Sequence, residues 1–103
     1  MTLTRQTSPH GSLVALSTMK DEGPTVVEWV AHHLAVGFTE LMVYTNDCSD
    51  GTDDLLKRLE AMDIGVHHRE NLIPEGMKTH PSMLKAAAEE DLIINSDWVL
   101  VLD

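Results

Sequence analysis

Apolar positions along the chain fall into two alternating rhythms. Leu13-Val14-Ala15-Leu16 is a continuous apolar run, as expected of a strand buried on both faces. Pro24 follows, where a first helical turn can spare its N–H. Val26, Val30 and Leu34 then recur at helical spacing, with Val27 beside the same face, until Gly37 offers a stop. Residues 41–44 (LMVY) predict a second strand. Residues 52–62 predict a second helix, with Leu55, Leu56, Leu59 and Met62 on one side. Residues 64–67 form a weaker third strand, diluted by Gly65 and two histidines. After a Pro/Gly/Asn-rich loop at 70–79, a third helix is predicted over 81–94, its stripe marked by Leu84, Ala88 and Leu92. Trp98-Val99-Leu100-Val101-Leu102 is the strongest strand signal. Residues 1–11 read as a flexible polar tail, leaving 12–103 as the domain.

Strands alternating with helices through short joints predict an α/β fold, a mainly parallel four-stranded sheet flanked by helices. In such sheets ligands bind beyond the carboxyl ends of the strands. Those ends carry residues 17–22, 45–51, 68–71 and Asp103, and polar and acidic side chains gather there.

Charge narrows the ligand. Seventeen acids against seven bases give a net charge of −10 over 103 residues. This excludes nucleic acid or an anionic membrane held by a simple basic footprint. A phosphate ester would need a metal ion or a local cation. The single Cys48 leaves no partner for an intrachain disulfide and no thiol pair for zinc, which fits a reducing, cytoplasmic setting. The start, MTLTRQTSPHGS, has no apolar core of a signal peptide. The histidine pairs 32–33 and 67–68 are adjacent in sequence, so on a helix or strand their rings diverge rather than chelate.

Two loops hold the candidate chemistry. The first, Ser17-Thr18-Met19-Lys20-Asp21-Glu22, is by composition an ordinary strand-to-helix joint in which Lys20 is the cation able to face a diphosphate. The second, Thr45-Asn46-Asp47-Cys48-Ser49-Asp50-Gly51-Thr52, sets Asn46 and Asp47 at a strand tip. It then crowds a helix start with Asp50, Asp53 and Asp54. Ser49 or Asp50 would cap that helix, and Asp53 and Asp54 would favour its dipole. Those charges would repel a bare phosphate, so the loop is not a P-loop.

In this order the loops resemble the nucleotide-binding half of a family 2-type glycosyltransferase with the GT-A fold. One branch of that family reads K-N-E-x-x-x-x-x-E-W-x-x-x-H-x-x-x-G-F across its first helix; Lys20-Asp21-Glu22, Glu28-Trp29, His33 and Gly37-Phe38 stand in those places. The family's second loop reads D-D-x-S-x-D-G-T, and residues 45–52 match it without a gap. Residues 97–103, DWVLVLD, look like the strand leading into the D-x-D motif. The resemblance implies a Rossmann-like GT-A nucleotide-binding half, a nucleotide-diphosphate sugar as donor, and an unknown glycan, lipid or protein acceptor. It also implies Mn²⁺ or Mg²⁺ between the diphosphate and the D-x-D acids. By position it assigns Thr18, Met19, Lys20, Asn46, Asp47 and Asp103 to the nucleotide, and Asp103 also to the metal.

Departures accompany it. Thr45 and Asn46 replace the two leading acids, Cys48 the usual Ser, and Asp21 the more frequent Asn. The chain ends at the first acid of D-x-D, which predicts an N-terminal segment of a longer enzyme, inactive alone, with its catalytic residues beyond 103. A non-catalytic α/β module that binds a nucleotide or a protein is the alternative. Apolar surface left without its second half would also favour self-association.

Overall fold

The computed structural model describes residues 11–20, 23–46, 50–71, 76 and 78–102. Its elements are β1 (Leu13–Met19), α1 (Gly23–Ala35), β2 (Glu40–Thr45), α2 (Thr52–Ala61), β3 (Val66–Glu70), α3 (Thr79–Ala87), α4 (Asp91–Ile94) and β4 (Trp98–Leu102). The four strands form one sheet in the order β3-β2-β1-β4, and every pairing is parallel. The fold is α/β and Rossmann-like, as the alternating pattern predicts.

Connection handedness explains the layering. From β1 to β2 to β3 the chain steps outward one strand at a time. Right-handed crossovers therefore set α1 and α2 on the same face. There Val26, Val30, Leu34, Leu56 and Leu59 pack with Ala15, Leu41, Val43 and Val66. From β3 the chain returns past β2 and β1 to β4, and the reversed direction puts α3 on the opposite face, where Met83 and Ala87 meet Val14, Leu16, Met42 and Tyr44. Alternation along β1 and β2 feeds one residue to each core in turn.

Local signals end the elements. Gly37, at φ +116°, lets α1 finish in a Schellman turn. The Phe38 amide donates to the His33 carbonyl at 3.1 Å and the Gly37 amide to that of Leu34 at 3.2 Å. In the last turn His33 lies against Trp29, with ring centroids 4.4 Å apart, and its Nδ1 is 2.7 Å from the Trp29 carbonyl oxygen. That nitrogen carries the proton, since a carbonyl can only accept. At the other end of the sheet, Asp97 and Ser12 latch the starts of β4 and β1. The Ser12 amide donates to the Asp97 carboxylate at 2.8 Å, and the Asp97 amide donates to Ser12 Oγ at 2.9 Å. Gly11, grouped with the tail in the sequence, packs against that carboxylate; residues 1–10 lie outside the described ones.

Two expectations need correction, and one element lies where its composition does not suggest. The third strand starts at Val66 and runs on to Glu70, because Gly65 turns the chain at φ +97° and His68 is buried. The single helix predicted over 81–94 is two, α3 and α4, interrupted where Glu90 adopts an extended backbone and reaches Arg69. Its buried face is Ser82, Met83 and Ala87, whereas Leu84 and Ala88 face solvent. Finally, the strongest strand signal belongs to an edge. Trp98 is 63% and Leu100 50% exposed, and Val99 and Val101 on the other face are also exposed.

Gly65 gives the first test. A Cβ there would lie 2.5 Å from the Thr39 carbonyl oxygen, on a backbone conformation that L-residues rarely adopt. Gly65→Ala should therefore cost about 2 kcal/mol or more. Urea denaturation, compared with the unencumbered surface change Ala61→Ser, measures it.

Candidate functional site

The register fixes which loops meet. Met19 of β1 is level with Thr45 of β2, and Ser17 with Leu102 of β4. Neighbouring parallel strands lie about 4.8 Å apart, so Lys20 and Asn46 leave the sheet side by side. The strand order reverses its direction of growth at β1, and the crevice between the carboxyl ends of β1 and β4 is the topological switch point.

Each residue assigned from the sequence can be located. Thr18 is half-buried and level with Tyr44, Lys20 is exposed, and Asn46 is half-buried. Met19 is different: its side chain is buried in the core beneath α1 and α2, so whatever it offers a ligand comes from its main chain. Asp47 and Asp103 lie outside the described residues, as do Asp21, Cys48 and Ser49.

Beneath Asn46 the end of β2 is braced by hydrogen bonds. Thr45 is buried, and its Oγ1 lies 2.7 Å from Nε2 of the buried His68 on β3. The Thr45 carbonyl accepts the Asn71 amide at 2.7 Å. Asn71 Oδ1 in turn accepts the Ser82 hydroxyl at 3.2 Å, tying the loop after β3 to α3. Burial first, then the positive charge of Lys57, pushes the His68 imidazole down from its ordinary pKa. The neutral ring suits this site. Thr45 stands where the resemblance expects an acid, yet it turns into the α2-side core; a carboxylate here would be buried rather than presented to a ligand.

Asp50 organises the other side of the loop. Its Oδ2 accepts the amide of Gly23, the first residue of α1, at 3.0 Å. Its Oδ1 accepts the amide of Thr52, the first residue of α2, at 3.0 Å, and also the Thr52 hydroxyl. The Thr52 hydroxyl foremost, with the Gly23 and Thr52 amides, holds the Asp50 carboxyl below the usual carboxylate range. Gly51 carries the chain between them at φ +88°. Gly51, not Ser49 or Asp50, is the N-cap of α2; Asp50, one residue earlier, accepts the first amides of two helices instead. A dinucleotide-binding site would set phosphate at the start of its first helix; here a carboxylate already takes the first amide of α1.

A third group lies on the outer edge of β3. Arg69 donates from Nε to Glu90 at 3.1 Å and from Nη1 to Glu60 at 3.3 Å and to the His68 carbonyl at 2.8 Å. The His68 amide donates to Glu60 at 3.3 Å. Arg69, a cation near the carboxyl end of β3, is engaged with these partners at the edge of the sheet. The bonds of Arg69 to Glu90, His68 to Thr45 and Asp50 to Gly23 join residues 21, 23 and 27 positions apart, and no local pattern announces them.

Among the described residues, no three His, Cys, Asp or Glu side chains converge to hold a metal ion. Asp103, where the resemblance expects the metal, lies outside the described residues. Nor, among the described residues, is any helix long and apolar enough to cross a membrane. Comparison with models of protein families, with curated proteins and with solved structures finds no match.

His68 makes the braced end of β2 sensitive to acid. Its folded pKa is lowered, so between that value and the ordinary 6.5 the unfolded chain binds more protons. The neutral ring's contribution is complete above the ordinary value and is lost as pH falls through it toward the folded value. The stability advantage of the native chain over His68→Gln should shrink from about pH 7.5 to about pH 5.5. Denaturation at each pH tests this; an advantage that widens on acidification would mean that His68 is held protonated.

Proposed function

We propose that this chain is the donor-binding segment of a glycosyltransferase of the family 2 type and takes a nucleotide-diphosphate sugar at the carboxyl ends of β1 and β2. The observation that carries the reading is the pairing of Met19 with Thr45, which brings Lys20 and Asn46 out of the sheet as neighbours beside the switch point. An Asn amide has both a donor and an acceptor for the edge of a base. Lys20 supplies a cation beside it in a chain of net charge −10. Thr18 and the main chain of Met19 would flank the nucleoside. Asp47 and Asp103, with Mn²⁺ or Mg²⁺ at the latter, complete the donor site that the resemblance implies. Sugar transfer belongs to the longer enzyme with its own acceptor site; nucleotide binding is the part assigned to these residues. The lone Cys48 suits a cytoplasmic setting for that enzyme.

Amide spectra of the ¹⁵N-labelled protein, titrated with UDP and with GDP in the presence of Mg²⁺, test the assignment. The Lys20 and Asn46 signals should move with one of the two nucleotides. Asn46→Ala should weaken that binding by about tenfold, the worth of a hydrogen bond to a buried polar edge. If neither nucleotide moves either signal, the reading fails.

A second reading rests on β4. A strand with apolar residues on both faces normally lies inside a sheet, and Trp98, Val99, Leu100 and Val101 are all exposed. Such a surface favours a protein-binding module, or association of the chain with itself. Light scattering should find a mass above that of the monomer that rises with concentration, and Leu100→Lys should return it to the monomer. A concentration-independent monomer in the native chain would remove this reading.

A further inference from the structure

We propose that Asp50 is a positioning residue: its carboxylate clasps the start of α1 to the start of α2 and so sets the spacing of the two loops that present Lys20 and Asn46. The inference deepens the nucleotide-binding reading and rests on it for its affinity test.

The clasp is built from one side chain whose two oxygens serve different helices. Oδ2 receives the Gly23 amide and Oδ1 the Thr52 amide, each at 3.0 Å. Gly23 and Asp50 are separated by 27 positions, so the contact closes across the mouth between neighbouring strands rather than along one turn. Both donors are first amides of helices, which have no intrahelical acceptor and carry the positive end of each helix dipole. A neutral side chain of the same shape would satisfy fewer of these donors and would lack the charge that both dipoles favour.

The missing side chain of Gly23 belongs to the same close approach. A Cβ at that position would lie 3.1 Å from Asp50 Oδ2, 3.4 Å from its carboxyl carbon and 3.6 Å from the Asp50 main-chain oxygen. The first of these is tighter than ordinary contact, so with a side chain at 23 the Asp50 carboxylate must give by a few tenths of an ångström. The absent side chain at 23 and the carboxylate at 50 are thus two halves of one fit. Lys20 lies three residues before Gly23, and Asn46 four before Asp50. A change in the clasp must therefore be felt at the strand tips, where a ligand would touch both loops at once.

Gly23→Ala separates positioning from stability, because alanine suits a helix better than glycine. Its thermal midpoint should stay level or rise. Its affinity for whichever of UDP or GDP the native chain binds should nevertheless fall about fivefold, as in Asp50→Asn. Without any nucleotide, Asp50→Asn should shift the amide signals of both Lys20 and Asn46. Shifts confined to residues 50–54, or undiminished affinity in both variants, would overturn the clasp. Should the native chain bind neither nucleotide, the functional reading fails alone, and the Lys20 shift in Asp50→Asn still decides whether Asp50 holds the loops.

Discussion

The architecture depends on β1 having a parallel neighbour on each side. Parallel strands cannot be joined by a tight turn, so each pairing brings a crossover with it, and the crossovers bring the helices. Because β2 lies on one side of β1 and β4 on the other, the chain must reverse its direction across the sheet. That reversal sends α3 to the face opposite α1 and α2. It buries Val14 through Ser17 between the two helical layers and puts the topological switch point between β1 and β4. The core and the candidate site therefore share one cause.

What could be read from the sequence follows from this division. Elements with strong periodicity lay in plain view. Val26, Val30 and Leu34 are buried as their spacing demands, and Gly37 ends the helix where expected. The parallel sheet was legible because strands and helices alternate. Where a polar residue is buried by a distant partner, the pattern misleads. His68 looked like the end of a strand, yet Thr45, 23 positions away, gives its ring a reason to be inside. The break between α3 and α4 has a similar origin in Glu90 and Arg69. The composition of β4 suits the middle of a sheet, whereas among the described residues it lies at the margin.

At the candidate site, the sequence marked two loops that the register brings together and less of their inner wiring. Lys20 and Asn46 emerge as neighbours, but Met19 belongs to the core and Thr45 to a buried pair with His68. The surplus carboxylates divide by role. Asp50 is tied into two helix starts, whereas Asp53 and Asp54 lie in the first turn of α2, where the dipole favours them. A loop that seemed too acidic for a phosphate ester spends part of that charge on its own backbone.

The two margins of the sheet are chemically unlike, and this limits how copies of the chain can assemble. Along β3 the outward amide and carbonyl of His68 are already bonded to Glu60 and Arg69, and charged side chains sheathe that edge. Along β4 no strand lies beyond it among the described residues. The β3 margin is thus obstructed at His68, whereas nothing comparable is seen along β4 among the described residues. Two copies joined through β4 would each turn β3 outward, where the bonded main chain of His68 and the charges around it oppose further strand pairing.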